Sequence, residues 1–312
     1  ISSTVFGSML GKSKILMSII IYGATLVISA IGAYIYNRFM KKSNDMEKDL
    51  IPLTYVPVKA GSIKPQGWLK QQLRIQADGL CGNLDKVWPD VRDSAWIGGE
   101  AEGWERVPYW LDGFIPMAYL LDDAVLIERA KKYINAIINR QSDDGWIAPC
   151  PENERANYDV WAVILICKTL TVYADYSGEE ERIEGVISKA LLQLNEHLDK
   201  YPLFEWGKWR WFECLIPIYW LYQRQKDGRL LELAAKLKAQ GTDYNGLFSD
   251  WPYKNITGPA TMDEHVVNLA MALKSDALYS RISGDEPCEF AQKMLKTLES
   301  MHSMPIGHFT GD

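Results

Sequence analysis

The chain has few cysteines, and none of them has a paired spacing. Five occur among 312 residues, so the number is odd, and no C-x-x-C pair is present. A disulfide framework and a local zinc knuckle are therefore disfavoured. The simpler interpretation is that the cysteines are buried structural thiols, because Cys167 and Cys214 lie inside apolar helical patterns.

The sequence also lacks an excess of positive charge. It has 34 Lys and Arg against 40 Asp and Glu, which gives a net charge of −6. A general nucleic-acid-binding protein would carry a basic surface, so nucleic acid is not an expected partner. The hydrophobic fraction of 47% and the charged fraction of 24% are ordinary for a globular protein and exclude a wholly disordered chain.

Aromatic residues, in contrast, are abundant. The chain has 12 Trp, 16 Tyr and 8 Phe. Large aromatic side chains fill cores, but Trp and Tyr also stack on ligands, so this composition is a hint of a ligand-binding face.

One long uncharged run lies near the start of the sequence. Residues 15–36 contain no charged side chain over 22 positions, and basic residues flank the run on both sides. A helix of this length, rising about 1.5 Å per residue, would span about 33 Å, which is enough for a bilayer core. We therefore predict an N-terminal flank at 1–14 and a single-pass membrane anchor at 15–36. A cleaved signal peptide is the alternative, and the nearly balanced flanks do not fix the orientation.

The rest of the sequence indicates an all-α protein. Residues 37–60 are charged and then punctuated by proline, which is typical of a linker. From about Ser62 onward strand alternation is almost absent, and residues 262–282 show one apolar face at helical spacing. Nine helices are predicted, with starts near Pro65, Pro108, Val125, Asn157, Glu180, Lys208, Arg229, Met262 and Pro287.

Short polar turns recur between these helices. Counted from positions 122, 178, 228 and 284, the steps are 56, 50 and 56 residues. A repeat of this size made of two helices indicates stacked helical hairpins. Long aromatic connections alternate with the short turns and should therefore share the opposite end. We predict an incomplete (α/α)6 toroid over 61–312; an open solenoid fits as well. A complete toroid has twelve helices, so we expect the natural chain to continue past Asp312.

Five segments carry a family resemblance. Residues 62–91, 96–123, 141–149, 262–286 and 306–312 follow one another in this order and include GGEAEGWERVPYW, QSDDGW, MDEHVV and IGHFTGD. Together they resemble the catalytic domain of glycoside hydrolase family 127, the β-L-arabinofuranosidase-like proteins, over roughly residues 55–312. The resemblance implies an (α/α)6 barrel followed by β-sandwich domains. It also implies retaining hydrolysis of β-L-arabinofuranosides or related glycosides, with an extracytoplasmic catalytic domain.

The resemblance also implies where the catalytic group should lie. The family's nucleophile is a zinc-bound Cys in a site of one Glu and three Cys, and these residues would follow the segment at 306–312. We therefore expect no catalytic nucleophile, no zinc and no other cofactor in these 312 residues, and no hydrolysis by them alone. The family's acid/base Glu would fall near 306–312, where this chain has His308 and Asp312, so the acid/base assignment stays open.

The candidate substrate-binding residues come mainly from the run at 98–110. Its carboxylates and Arg suit sugar hydroxyls and its aromatic rings suit C–H surfaces; a solvated acidic loop is the plain alternative. Asp159 fits a helix cap as well as a ligand contact. His265 matches a family substrate contact, whereas His197 and His302 are interpreted as structural. The predicted set is Glu100, Glu102, Trp104, Glu105, Tyr109, Asp159, Trp161, His265 and His308.

Two other classes of function remain beside a membrane-tethered glycoside hydrolase that binds a glycan or oligosaccharide. One is a non-catalytic carbohydrate-binding toroid. The other is a terpene-cyclase-like toroid, which would suit membrane contact and aromatic richness. The second is disfavoured because neither a D-x-D-D nor a D-D-x-x-D acid motif is present.

The uncharged run generates the first testable prediction. Because residues 15–36 can span a bilayer, the expressed protein should stay in the membrane pellet after an alkaline carbonate wash and should need detergent for release. Deletion of 15–36 should move it to the wash fraction. Release of the intact protein by carbonate alone would contradict the anchor.

Overall fold

The computed structural model describes residues 50–252, 262, 265–284 and 288–309. The predicted flank at 1–14, the anchor at 15–36 and the first part of the linker lie outside these ranges. The remaining linker, from 50 to 60, has no regular helix or strand and is largely exposed. Within the described ranges, no helix has the length and apolarity needed to cross a membrane.

The described residues are all-helical, as predicted, and only two isolated β-bridges occur among them. Three 3-10 helices lie at Ala95–Ile97, Glu152–Asn157 and Trp211–Cys214. The α-helices are α1 (Gly67–Asp78), α2 (Leu80–Val87), α3 (Pro89–Arg92), α4 (Arg106–Leu120), α5 (Ala124–Ile138), α6 (Trp161–Ser177), α7 (Glu180–Lys200), α8 (Glu205–Trp209), α9 (Leu215–Gln225), α10 (Gly228–Gln240), α11 (Tyr244–Ser249), α12 (Val266–Ala272), α13 (Ser275–Ser283) and α14 (Cys288–His302).

The long helices form hairpins arranged in two rows. Helices α4, α6, α9 and α13 contact one another in succession, and they pair with α5, α7, α10 and α14, respectively. Helix α6 is buried around most of its circumference, as expected for a helix of the inner row. Helix α7 buries one stripe at three- and four-residue spacing, which is typical of an outer helix: Ile183, Ile187, Leu191, Leu194 and Leu198.

The predicted short turns are helix boundaries in the structure. Asp123 and Asp227 cap the starts of α5 and α10 through their side chains. Gly178 and Gly284 end α6 and α13 with φ of 77° and 87°, a left-handed conformation that glycine adopts without steric cost. These residues explain why the hairpin period is visible in the sequence.

The single helix predicted over 262–282 is wrong. The structure has two helices there, α12 and α13, and the chain turns between them at Leu273 and Lys274. The backbone N–H of Lys274 donates to the carbonyl of Met271, an i to i−3 bond that tightens the last turn of α12. Lys274 also forms an ion pair with Glu213, from the 3-10 helix that precedes α9. The break is therefore fixed by a tertiary contact that periodicity does not reveal.

The interpretation of the cysteines as structural thiols is confirmed at two positions. Cys167 and Cys214 are free and fully buried, and Cys81 and Cys150 are free and half-buried. Burial raises the pKa of the Cys167 thiol to about 12 and that of Cys214 well above its ordinary value. Both thiols are therefore protonated at neutral pH.

The hairpin caps generate the second prediction. The Asp123 carboxylate accepts from the backbone N–H of Val125 and Leu126 at 3.1 and 3.2 Å and pairs with Arg74 at 2.9 Å. Asp123→Ala should lower the free energy of unfolding by about 1–2 kcal/mol, measured by urea denaturation. The control is Asp227→Ala: this carboxylate accepts one backbone N–H, that of Arg229, and pairs with the exposed Arg229 side chain, so its loss should cost less.

The effect of Asp123 should also depend on pH. The hydrogen bond from Arg74 holds the pKa of Asp123 below its ordinary value. A depressed folded-state pKa stabilises the fold above the unfolded-state pKa, and this contribution is lost as pH falls through the folded-state value. The difference between wild type and Asp123→Ala should therefore shrink below about pH 4. A constant difference down to pH 2 would contradict this.

Candidate functional site

A buried arginine joins three separate segments of the chain. Arg210 follows α8 directly and only 3% of its surface is exposed. Its Nε donates to Asn268 Oδ1 at 2.8 Å, and its Nη1 donates to the Tyr109 hydroxyl at 2.9 Å. The same Nη1 lies 3.7 Å from Glu105 Oε2. We call Arg210, Tyr109, Glu105 and Asn268 the Arg210 cluster; it connects α4, the segment after α8, and α12.

Tryptophan rings cover the guanidinium group. The Arg210 Cζ atom lies 4.3 Å from the ring centroid of Trp206 and 4.9 Å from that of Trp161. A cation over an aromatic face is stabilised by the ring quadrupole, more so when both are partly desolvated. The rings therefore help a charged group to remain inside the protein.

The aromatic contacts extend the cluster to other predicted residues. The ring of Trp206 lies 5.1 Å from that of His265 and 6.4 Å from that of Trp104. Tyr109 lies 6.0 Å from Trp161, also between ring centroids. These contacts connect four residues of the predicted set: Trp104, Tyr109, Trp161 and His265. Their role as substrate contacts stays a prediction.

Glu105 ties the beginning of α4 to the beginning of α6. Its Oε2 accepts from Trp161 Nε1 at 3.0 Å, and its Oε1 lies 3.3 Å from Arg106 Nη1. Only 13% of the Glu105 side chain is exposed, whereas 45% of the Arg106 side chain is. Oε1 therefore faces the more open side of the carboxylate.

Tyr109 is a protonated hydroxyl group at neutral pH. Burial raises its pKa to about 12, and the nearby Glu105 and Glu213 act in the same direction, whereas Arg210 opposes them. The hydroxyl oxygen accepts from Arg210. Since a phenol both donates and accepts, its own proton is left to donate to another group.

Asp159 is held by backbone groups of two helices. Its carboxylate accepts from the N–H of Trp161 at 3.0 Å, Trp206 at 2.8 Å and Gly207 at 2.9 Å. Burial raises the pKa of Asp159, and these amide hydrogen bonds act against that rise. A side chain at Gly207 would place its Cβ 3.0 Å from Asp159 Oδ1. Of the two roles open for Asp159, the structure therefore favours the cap, which fixes Trp206 beside α6.

Glu102 has a similar backbone role. Its carboxylate accepts from the N–H of Glu105 at 2.7 Å and from that of Arg106 at 3.3 and 3.4 Å. These are amides at the beginning of α4, which have no partner within the helix. Glu102 thus caps the helix that carries Tyr109.

The two remaining residues of the predicted set do not contact the Arg210 cluster within the described ranges. Glu100 and His308 are exposed. The backbone carbonyl of His308 accepts from Met304 N–H at 2.7 Å. Within the described ranges, no contact joins either side chain to the Arg210 cluster.

Sequence reasoning missed the centre of the site. Arg210, Trp206 and Asn268 were absent from the predicted set, although Trp206 and Arg210 lie in the aromatic run FEWGKWRWFEC at 204–214. A charged residue inside such a run is a signal of a buried cation next to aromatic rings. Asn268 lies inside a helical pattern and gives no comparable signal.

A second buried charged residue, Glu213, lies three positions after Arg210. Glu213 is fully buried, and in the described part of the chain neither carboxylate oxygen has a hydrogen-bond partner. Its ion-pair partner is Lys274, whose side chain is 43% exposed. Arg210 with Asn268 and Glu213 with Lys274 thus connect one short segment to both ends of α12.

The donors needed for the family's zinc site are not assembled in the described residues. No group of three or more His, Cys, Asp and Glu side chains there is arranged to hold a metal ion. Cys81, Cys150, Cys167 and Cys214 belong to different elements, and the last two are buried in the core. These residues therefore do not fit the zinc–thiolate chemistry of the family.

Comparison with known proteins adds no relative. No protein-family model, no curated protein and no solved structure matches this chain. The assignment of a function accordingly depends on the five sequence segments and on the chemistry of the Arg210 cluster.

The buried ion pair generates the third prediction. Lys274→Met removes the charge that compensates Glu213, so the free energy of unfolding should fall by about 3 kcal/mol, the lower end for a broken buried pair because Lys274 is partly exposed. The double variant Lys274→Met with Glu213→Gln should recover most of this loss. Both are measured by denaturant unfolding.

A surface ion pair provides the control for this experiment. Lys131 pairs with Glu128 at 2.9 Å, and their side chains are 38% and 71% exposed. Lys131→Met should cost less than about 1 kcal/mol, as is usual for exposed pairs. Equal decreases in the free energy of unfolding for the two lysine variants would show that the Glu213 pair contributes no more than an exposed pair.

Proposed function

We propose that this chain is a glycoside hydrolase-like protein that binds a glycan at the Arg210 cluster. The observation that carries the proposal is the buried Arg210 guanidinium, bonded to Tyr109, close to Glu105 and covered by Trp161 and Trp206. Polar groups held beside aromatic faces are what a sugar needs, since its hydroxyls form hydrogen bonds and its C–H surfaces pack on rings.

Each member of the cluster has a defined chemical task in this proposal. Tyr109 donates its proton to a sugar hydroxyl while Arg210 holds its oxygen. Glu105 accepts from a hydroxyl through Oε1, whose present donor is the exposed Arg106 side chain. Trp206, Trp104 and His265 provide ring surfaces, and Asp159 and Glu102 keep the helix ends in place.

The two rows of hairpins support a toroidal frame for this site. Inner and outer helices alternate along the chain from α4 to α14, which is the order in an (α/α)6 toroid. We propose that residues 61–312 belong to such a toroid and that its rim carries the Arg210 cluster. The likeness to family 127 favours β-L-arabinofuranosides or related glycosides as ligands.

Bond cleavage is not part of the proposal for the described residues. The family's reaction needs a zinc-bound thiolate, and the buried Cys167 and Cys214 are thiols at neutral pH. No metal-binding group is found among the described residues. This observation favours a second candidate function, a carbohydrate-binding protein without catalysis, and both candidates predict binding without turnover by residues 1–312.

The cellular location of the protein is proposed from its sequence. A membrane anchor at 15–36 would tether the helical domain to a bilayer, and the family's glycan substrates would place that domain on the extracytoplasmic side. The carbonate extraction described above tests the anchor.

The fourth prediction concerns glycan binding. Arg210→Met removes the group that orients Tyr109, and Tyr109→Phe removes one hydroxyl, which is worth about 0.5–1.5 kcal/mol. We expect at least about tenfold weaker binding of arabinofuranosyl oligosaccharides for Arg210→Met and about fivefold for Tyr109→Phe, measured by isothermal titration calorimetry. Aryl β-L-arabinofuranoside should not be hydrolysed by the wild-type chain.

Arg224, on α9, provides a matched control. Arg224 also stacks on a tryptophan, at 3.7 Å from Trp220, and also pairs with a carboxylate, Glu180, at 3.0 Å. Arg224→Met should leave the affinity unchanged, and circular dichroism should show that all variants are folded. Equal affinities for the two arginine variants, or no binding of any glycan by wild type, would contradict the proposal.

A further inference from the structure

A cavity lies between the segment after α5 and the C-terminal end of α7. Its volume is about 250 Å³, and its lining includes Glu152, Arg155, Gln193, Glu196, His197 and Tyr201. These residues lie outside the Arg210 cluster. The sequence indicates only a structural role for His197.

The wall of this cavity is fixed by the fold. Gln141 Nε2 donates to the carbonyls of Gly145 and Val186 at 2.9 and 3.0 Å, which ties the segment to α7. Gly145 has φ of 96°, and a Cβ there would lie 2.5 Å from the carbonyl oxygen of Lys189. Glycine is therefore required for this close approach. The cavity is preorganised rather than formed by a loose loop.

One buried polar side chain of the lining has an unpartnered hydrogen-bonding atom. Arg155 is 9% exposed; its Nη1 pairs with the Asp144 carboxylate, but its Nε has no hydrogen-bond partner in the described part of the chain. His197, which is 6% exposed, lines the same cavity. Buried polar groups are normally paired, so the Nε of Arg155 indicates a place for a polar ligand.

Aromatic rings form one side of the same cavity. The His197 ring lies 5.2 Å from that of Trp146 and 5.0 Å from that of Tyr201, which is 42% exposed. Burial, together with Arg155 and Lys200, lowers the pKa of His197. A neutral imidazole has one donor and one acceptor nitrogen, and the exposed Tyr201 offers a face for stacking.

The charges of the lining select the ligand class. Arg155 and Lys200 are outnumbered by Glu152, Glu196 and Asp144, so the cavity does not suit a polyanion. Donors, acceptors and a ring face together suit a polyhydroxylated ring. The volume is below the roughly 300–1,000 Å³ of sites for drug-sized ligands, which leaves room for one sugar unit.

We propose that this cavity is a second carbohydrate subsite that binds one neutral sugar ring, an inference that rests on the proposed glycan-binding function. The two sites are connected through Tyr158. Its ring lies 5.9 Å from that of Trp146, and its hydroxyl donates to the carbonyl of Gly103 at 2.8 Å, next to Trp104. The subsite therefore takes another unit of a glycan held at the Arg210 cluster.

The test uses the histidines as site-specific probes. The chain has four, and His265 contacts Trp206 of the first site whereas His197 lines the second. Ring resonances of histidine-labelled protein are assigned with His197→Gln and His265→Gln. Methyl β-L-arabinofuranoside and an arabinofuranosyl oligosaccharide of at least four units are then titrated separately. The oligosaccharide should shift both His197 and His265.

A pair of tyrosine variants tests the stacking face. Tyr201→Ala should weaken binding of the oligosaccharide about fivefold, as expected for loss of one aromatic contact, and should abolish the shift of His197. The control is Tyr55→Ala, because Tyr55 is 87% exposed and does not line the cavity. This control should bind both ligands like wild type.

Three results would overturn the subsite. A shift of His265 without one of His197, together with wild-type affinity for Tyr201→Ala, would refute the subsite and leave the proposed function intact. A shift of His197 with inorganic phosphate but with no glycan would show an anion site. The absence of any glycan-dependent shift or heat would refute the proposed function and, with it, the subsite.

Discussion

The structure of the candidate site depends on the burial of one guanidinium group. Removing a charge from water costs several kcal/mol unless hydrogen bonds and an opposite charge replace the solvent. Arg210 receives these partners from two other segments: Asn268 from α12, and Tyr109 and Glu105 from the beginning of α4. The burial of Arg210 therefore requires these segments to meet, and this requirement brings the ends of separate hairpins together.

Carboxylates that bind backbone amides complete this arrangement. Asp159 and Glu102 satisfy N–H groups at the beginnings of α6, α8 and α4, which have no partners inside their own helices. Their oxygens are thereby engaged before any ligand arrives. The polar atoms that remain for a ligand are fewer than the acidic sequence suggests, and the Tyr109 proton is the clearest of them. Glu105 Oε1 already accepts from the exposed Arg106 side chain.

The sequence predicts the all-helical class and several ends of the long helices, but it misses the short helices between them, and it predicts the site only in part. Asp123, Asp227, Gly178 and Gly284 are local signals, because each acts within one turn of its own helix end. The break at Lys274 is not local: the apolar periodicity continues through it, and the chain turns because Lys274 pairs with Glu213, about sixty residues away. For Arg210 the aromatic run at 204–214 is a local signal of a buried cation, but its partners Tyr109 and Asn268 are distant in sequence, so only the tertiary contacts show them.

Burial affects the Arg210 guanidinium and the cysteine thiols in different ways. Recognition needs donors, acceptors and ring faces in fixed positions, and these arise where helix ends meet around Arg210. A cysteine nucleophile needs the opposite environment, one that favours a thiolate. In α6 and in the 3-10 helix before α9, burial instead raises the pKa of Cys167 and Cys214, so both thiols stay protonated. A charge can be kept inside only where enough partners converge, as they do around Arg210. The proposed glycan binding depends on this convergence.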